Sequence, residues 1–157
     1  MKLWWWIGGV VLLVVAFFAF ELMHVGTTAA PISTALPQTS LTIDGVSIVA
    51  DVATTPAQQE LGLGGRSRLA PGTGMLFVFP QDGHYAFWMK DMHFSIDIIW
   101  LASDGTVVFI VPNLSPATYP QSYGPKGLAR YVLEVPAGFA TQNHLQVGDR
   151  AQLPASF

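Results

Sequence analysis

Lys90 and Asp97 are charged residues set among aromatic and aliphatic neighbours, in Phe87-Trp-Met-Lys90 and Ser95-Ile-Asp-Ile-Ile99. Arg130 and Glu134 are placed the same way in Leu128-Ala-Arg-Tyr-Val-Leu-Glu134, and Arg66 follows glycines at 62, 64 and 65. An isolated charge buried in such surroundings is costly, so each of the five must be paired or reach water. One chemistry that fits them is a polar pocket. Lys90 and Arg130 would hold an anionic group over the face of Trp88, with Arg66, Asp97 and Glu134 around it. A second is acid–base catalysis, with Asp97 or Glu134 as general base and Arg130 or Lys90 stabilising an anion. The third is a set of ion pairs that fix strand register without doing chemistry.

Other chemistries find less support. Thioether and imidazole groups at Met75, His84, Met89, Met92, His93 and His144 would suit copper. Alternation puts Met89 in the core, however, and the chain has no cysteine and no His-x-His or His-Glu-x-x-His spacing. Ser95, Ser115 and Ser122 have no nucleophile elbow around them. The glycines at 62, 64 and 65 follow a helix instead of opening one after a strand, and no lysine-serine pair follows them. The sequence therefore implies no metal and no cofactor, and the lack of an assembled nucleophile or acid–base set favours binding over catalysis. A structural or assembly protein acting through its surface is the further alternative, and an exposed aromatic patch would mark it.

The elements that must position these residues are short strands. Asp44-Gly45 joins runs at 41–44 and 46–52 as a hairpin, and Asp104-Gly105 joins 95–101 to 106–111. Thr55-Pro56-Ala-Gln58 has the residue types of a capping box opening a helix that Gly62 stops. The run 74–79 reads as a strand, linked by the four-residue loop Pro80-Gln-Asp-Gly83 to another over 84–90. In that second strand Tyr85, Phe87 and Met89 face one way and His84, Ala86, Trp88 and Lys90 the other. Strands over 128–135 and 150–153 and a short helix within 137–144 complete the set. The loop 112–127, with four prolines, is long enough to be a lid over the charged cluster or a packed crossing connection. About eight short antiparallel strands and two short helices predict a mainly β, sandwich- or barrel-like domain. One curled sheet of α+β type is the alternative.

Hydrophobic residues make up 51% of the 157 positions and charged ones 11%, against roughly 25% charged in soluble domains. Residues 3–20 carry no charge and no proline, and as a helix they would span about 27 Å, close to the ~30 Å hydrocarbon core of a bilayer. Residues 1–25 thus read as a single-pass membrane anchor with Trp4-Trp5-Trp6 at the interface, or as a signal peptide. Lys2 ahead of the segment and Glu21 after it orient the C-terminal domain to the extracytoplasmic side. If the leader were cleaved, the domain would be secreted. Residues 26–40, uncharged and rich in Thr, Ala, Ser and Pro, form a tether, and 41–157 form the domain. A balance of 7 Lys and Arg against 10 Asp and Glu leaves no electrostatic footprint for nucleic acid. The expected partners are the membrane and a small polar or anionic ligand.

Several ordered blocks carry a resemblance: Gly74-Met-Leu-Phe-Val-Phe79, Phe87-Trp-Met-Lys90, Asp97-Ile-Ile99, Asp104-Gly105, Gly127-Leu-Ala-Arg-Tyr-Val-Leu-Glu134 and Val147-Gly-Asp149. Through them the chain resembles domain-of-unknown-function family 192 from about residue 45 to its end. The resemblance implies a compact, mostly β, sandwich-like domain, often exported or anchored, with no agreed catalytic residues. The chain departs from the family's usual pattern at Gly64-Gly65 before Arg66 and at Asp91-Met92 after Lys90.

Overall fold

Asp44 and Gly45 have φ of 47° and 77°, the pair of positive values that matches a two-residue turn to the twist of its strands. They join β1 (Gln38–Ile43) to β2 (Val46–Ala53), antiparallel, with Ile43 opposite Val46. The computed structural model of the protein describes residues 35–154. The apolar segment expected to anchor the chain, and most of the tether, lie outside the described residues. Among the described residues no helix is long and apolar enough to cross a membrane.

Thr55 caps α1 (Pro56–Leu61): its side chain accepts from the Gln58 N–H, and the Gln58 carboxamide oxygen accepts from the Thr55 N–H at 3.0 Å. Gly62, with φ of 53°, ends the helix. The chain then returns to start β3 (Thr73–Gly83), which runs parallel to β2. This corrects the expectation of an all-antiparallel sheet. A parallel neighbour needs a crossover of a dozen or more residues, and residues 54–72 supply it. They hold too little helix to give the strand–helix alternation by which parallel sheets are read from sequence.

β4 (Phe87–Trp88), β5 (Ile96–Leu101), β6 (Val107–Leu114), β7 (Ser122–Tyr123), β8 (Ala129–Pro136), α2 (Phe139–Gln142) and β9 (Ala151–Gln152) follow. Seven strands form one sheet in the order β6-β5-β8-β3-β2-β1-β9, and β4 pairs with β7 in a separate ribbon. The sheet curls until its edges touch at one end. Thr106, just before β6, bridges Arg150, just before β9, and the Val107 N–H donates to the Asp149 carbonyl at 2.8 Å. The Arg150–Asp104 ion pair spans the same junction. The mainly β architecture with two short helices is as expected.

The expected strand over 84–90 is the second correction. β3 continues through Pro80 to Gly83, its ladder to β8 shifting register between Val78 and Gly83. Tyr85 then stacks on Phe79, ring centroids 3.5 Å apart, and its hydroxyl donates to the Gln81 carbonyl. This ring contact holds the chain folded back, so only Phe87 and Trp88 stay in a ladder, opposite Tyr123 and Ser122. The alternation itself holds: Met89 is buried and Tyr85 and Phe87 are half-buried, while His84, Ala86, Trp88 and Lys90 are exposed.

Residues of one parity from the sheet strands, including Leu41, Ile48, Leu76, Ile99, Val107 and Leu133, fill the inside of the curl. The opposite parity of β3, β5 and β8 puts Met75, Phe77, Ile98, Trp100 and Val132 on the outer face. Leu63, Met89 and the β4–β7 ribbon cover that face. The outer layer positions the candidate site.

Candidate functional site

Among the described residues two carboxyl groups are buried, and β5 and β8 hold them on opposite faces of the sheet. Asp97 pairs across the ladder with Val135, so its side chain shares the inner face with Ile99. It is completely buried. Its Oδ1 accepts from the Asn113 and Gly138 N–H groups at 2.7 and 3.0 Å, and its Oδ2 from the Ala140 N–H at 2.7 Å. Asn113 sits at a φ of 51° near the end of β6, and Gly138 and Ala140 open α2. Asp97 thus ties the end of β6 to the start of α2, and three backbone donors satisfy it.

Glu134 pairs with Ile98 on one side and Met75 on the other, and Met75 pairs in turn with Asp51 of β2. These residues form one row across the outer face. Glu134 is 5% exposed, and its Oε2 is buried with no hydrogen-bond partner. Burial pushes its carboxyl up from 4.5 to about 8, against the opposing pull of the Arg66 guanidinium. At neutral pH it is therefore mostly protonated. Arg66 is committed elsewhere, to Asp51 at 2.7 Å. Burial alone would raise the Asp51 carboxyl, but hydrogen bonds from Gln38 and Arg66 outweigh it and hold Asp51 below its usual range.

The loop that presents Arg66 is shaped by its glycines. A Cβ on Gly64 would come within 2.9 Å of the Leu61 carbonyl, and Gly65 has a φ of 75°. This tight path lets the Gly65 N–H donate to the Asp91 carbonyl at 2.9 Å. The two stretches where the sequence departs from the usual family pattern are therefore in contact, and Gly64 lines the cleft described next.

Glu134 lines a cleft of about 490 Å³ between α1, β3, the ribbon and the segment ending at Met92. Its walls are aromatic: Phe77, Phe79, Tyr85, Phe87 and Trp88. Phe77 and Phe79 meet Phe87 edge-on, with centroids 4.8 and 6.5 Å apart, and Phe87 meets Trp100 the same way. Such edge-to-face contacts contribute stability beyond area burial. Trp88 is 43% exposed, with Tyr119 against its edge and the Lys90 ammonium 5.8 Å from its ring centre. Lys90 also pairs with Glu60 of α1 at 3.3 Å. From the long loop, Ser122 lines the cleft and Tyr119 reaches Trp88, so the loop flanks the site through β7.

The six residues singled out from sequence fall in different places. Trp88, Lys90 and Glu134 line the cleft. Arg66 influences Glu134 while bound to Asp51. Arg130, paired with Asp82 at 2.8 Å, lines a separate hollow with Val78, Pro80 and Tyr131. Asp97 lies on the inner face, so the structure does not bring the set into one pocket. Sequence reasoning missed Asp51 and the aromatic walls. Asp51, a charge within Val49-Ala-Asp-Val52, carries the same signal that singled out Asp97. Among the described residues no group of three or more His, Asp or Glu could hold a metal ion.

A profile of the uncharacterised family DUF192, described as "Uncharacterized ACR", matches residues 39–153. The chain belongs to that family. A UPF0127 protein from Pyrococcus abyssi is 34% identical to this DUF192 chain over 88 residues, covering 52% of the chain and 68% of the relative. The crystal structure of a candidate transcription regulator from Sinorhizobium meliloti is similar with a TM-score of 0.72 and 29% identity, over 76% of this chain and 96% of that one. A protein of unknown function from Novosphingobium aromaticivorans matches with a TM-score of 0.71 and 27% identity, over 83% and 94%. The β-rich architecture is thereby shared with solved proteins.

Proposed function

We propose that this DUF192 domain is a non-catalytic binding module that takes a small polar ligand, or a short segment of a partner, in the aromatic cleft. One observation carries this reading: Glu134 lines the open cleft, and its carboxyl has a buried oxygen with no partner of its own. Buried polar groups in folded proteins are almost always satisfied, and an exception calls for an explanation. A ligand that pairs with Glu134 supplies one. The cleft volume lies in the range of small-molecule sites, roughly 300–1,000 Å³. In this reading residues 1–25 anchor the domain to a membrane and hold it on the extracytoplasmic side, as their apolar run and flanking charges suggest.

The test is a fragment screen by thermal shift on the full chain, beside Trp88→Ala and Glu134→Gln. A compound that stabilises the wild type and neither variant supports the cleft as the binding site. A screen whose stabilising compounds all act equally on the three proteins overturns it. The mass of the mature N-terminus and protease accessibility of the domain in intact cells test the anchor.

The enzyme reading keeps one specific support. A carboxyl in an open cleft and protonated near neutrality is suited to general acid–base work. Asp97 leaves that reading, being enclosed on the other face, which makes Glu134 its only base. Glu60, the second cleft carboxylate, is at the rim and paired with Lys90, so no acid–base pair is assembled. A nucleic-acid role, which the description of the Sinorhizobium protein raises, has no electrostatic support. Arg66, Lys90, Arg130 and Arg150 each lie on an acidic partner.

A further inference from the structure

We propose that the ligand of the cleft is an organic ammonium ion, seated between the aromatic walls and Glu134. This rests on the cleft being a binding site and goes beyond it by fixing the sign of the ligand's charge. The ionisable groups that face Glu134 or flank its cleft are Asp51 on β2, Glu60 on α1, Arg66 in the following loop, His84 and Tyr85 before β4, and Lys90 and Asp91 after it. β5 presents only Ile96, Ile98 and Trp100 to this layer, and β7 adds Tyr123. Both permanent cations in that set are already paired, Arg66 with Asp51 and Lys90 with Glu60. The carboxyl of Glu134 is not. An incoming anion therefore finds no free cation, whereas an incoming cation finds an unpartnered carboxyl.

The walls agree with the charge count. Aromatic faces attract cations through the ring quadrupole, most strongly where water is excluded. The protein already shows this at the rim, where the Lys90 ammonium sits over Trp88. A ligand ammonium deeper in the cleft would have the remaining rings around it and donate N–H to the Glu134 carboxyl, which a small turn of the side chain presents to the cleft. Pairing requires the carboxylate form, so the Glu134 proton leaves for solvent as the cation binds.

Benzylamine and benzyl alcohol are nearly the same shape and differ in charge, and titrating each into the isotope-labelled full chain separates the possibilities by NMR. Benzylamine is expected to shift the Trp88 indole and Glu134 carboxyl signals. Its affinity should rise by about tenfold per pH unit while Glu134 is mostly protonated, then level off near pH 8. Benzyl alcohol should bind weakly with no such dependence. Glu134→Gln should remove the pH dependence and bring benzylamine down to the level of the alcohol. Should that variant fail to fold, the wild-type Glu134 titration decides, because saturating amine must move it to lower pH. Equal binding of both probes, or amine binding that ignores pH, overturns the ammonium inference and leaves the cleft reading standing. If benzylamine perturbs no cleft residue, the inference is overturned, and an empty fragment screen in addition overturns the cleft itself.

Discussion

Asp97 and Glu134 sit on neighbouring strands of one sheet, both buried, and differ in what surrounds their oxygens. Asp97 receives three backbone N–H groups, while Glu134 receives none and shares its layer with rings and a cleft. A carboxylate saturated by backbone donors is a structural joint, since any ligand would have to displace bonds that hold β6 to α2. A carboxyl buried without partners weakens the fold it belongs to unless something outside the chain completes it. The pair thus separates two roles that burial alone cannot tell apart.

The sharpest way to break this contrast is to remove each group. Asp97→Ala removes the acceptor of three N–H groups, that of Ala140 buried and those of Asn113 and Gly138 partly so, each costing roughly 1–3 kcal/mol where it is buried and left unsatisfied. We expect a loss of about 3–5 kcal/mol in urea unfolding, a large fraction of the roughly 5–15 kcal/mol that holds a domain of ordinary stability folded. Asp97→Asn keeps one acceptor oxygen but turns its amide toward the Ala140 N–H, for a loss of about 2 kcal/mol. A variant as stable as the wild type would show that Asp97 is not the joint described.

Glu134→Gln should act in the opposite direction above acidic pH. The unfolded chain gives up this proton near 4.5, while the folded chain keeps it until about 8. Between those values the folded state binds more protons, so stability falls as pH rises, by about 1 kcal/mol per pH unit from this group. Above about 8 both states are ionised and the contribution is flat. Glu134→Gln removes the slope, making the variant more stable than the wild type at neutral pH and little different near pH 4. Parallel denaturation curves for the two proteins across that window would show Glu134 to be paired after all.

The difference between the two carboxyls was only half legible in the sequence. Alternation along the two runs places Glu134 on one side of its strand with Val132 and Asp97 on one side of its own with Ile99, as the structure has them. Which side of β5 corresponds to which side of β8 depends on their register, Asp97 opposite Val135. Register across residues so far apart in sequence leaves no local trace, so the two entered one imagined pocket together. The turn and cap chemistry was legible because it is local: Asp44-Gly45 and Thr55 with Gln58 form their bonds within a few residues. The parallel crossover was not, because its helix has only six residues. The cleft escaped notice for a related reason. Its walls come from β3, β4 and their connection, and Tyr85 turns back on Phe79 instead of continuing the ladder. Asp51 is legible in the sequence by the same sign as Asp97, a charge within an apolar strand.

Arg66 sharpens the comparison at a smaller scale. It is the one cation that lowers the Glu134 carboxyl, yet its contact is with Asp51. Its guanidinium is about one third exposed, so its pairing contributes at most about 1 kcal/mol. Arg66→Gln should therefore cost little stability but move the Glu134 titration to higher pH, extending the window of falling stability upward. An unchanged titration, followed by carboxyl NMR, would show that Arg66 does not act on Glu134.

Lys90→Ala carries the smallest expected effect on stability, about 0.5 kcal/mol or less, because the pair with Glu60 is exposed on both sides. Its effect on binding is the more telling one. If the cleft holds an anion over Trp88, Lys90 is the hand that holds it, and its removal weakens binding. If the cleft takes an ammonium ion, Lys90 is a competitor already occupying the Trp88 face and the Glu60 carboxylate. Its removal then uncovers a ring and frees a negative charge at the rim, so benzylamine should bind several-fold more tightly. The two ligand charges thus move the same measurement in opposite directions, on a variant whose fold is unperturbed. Weaker amine binding in Lys90→Ala would return the site to the anionic ligand and leave Glu134 without an explanation for its missing partner.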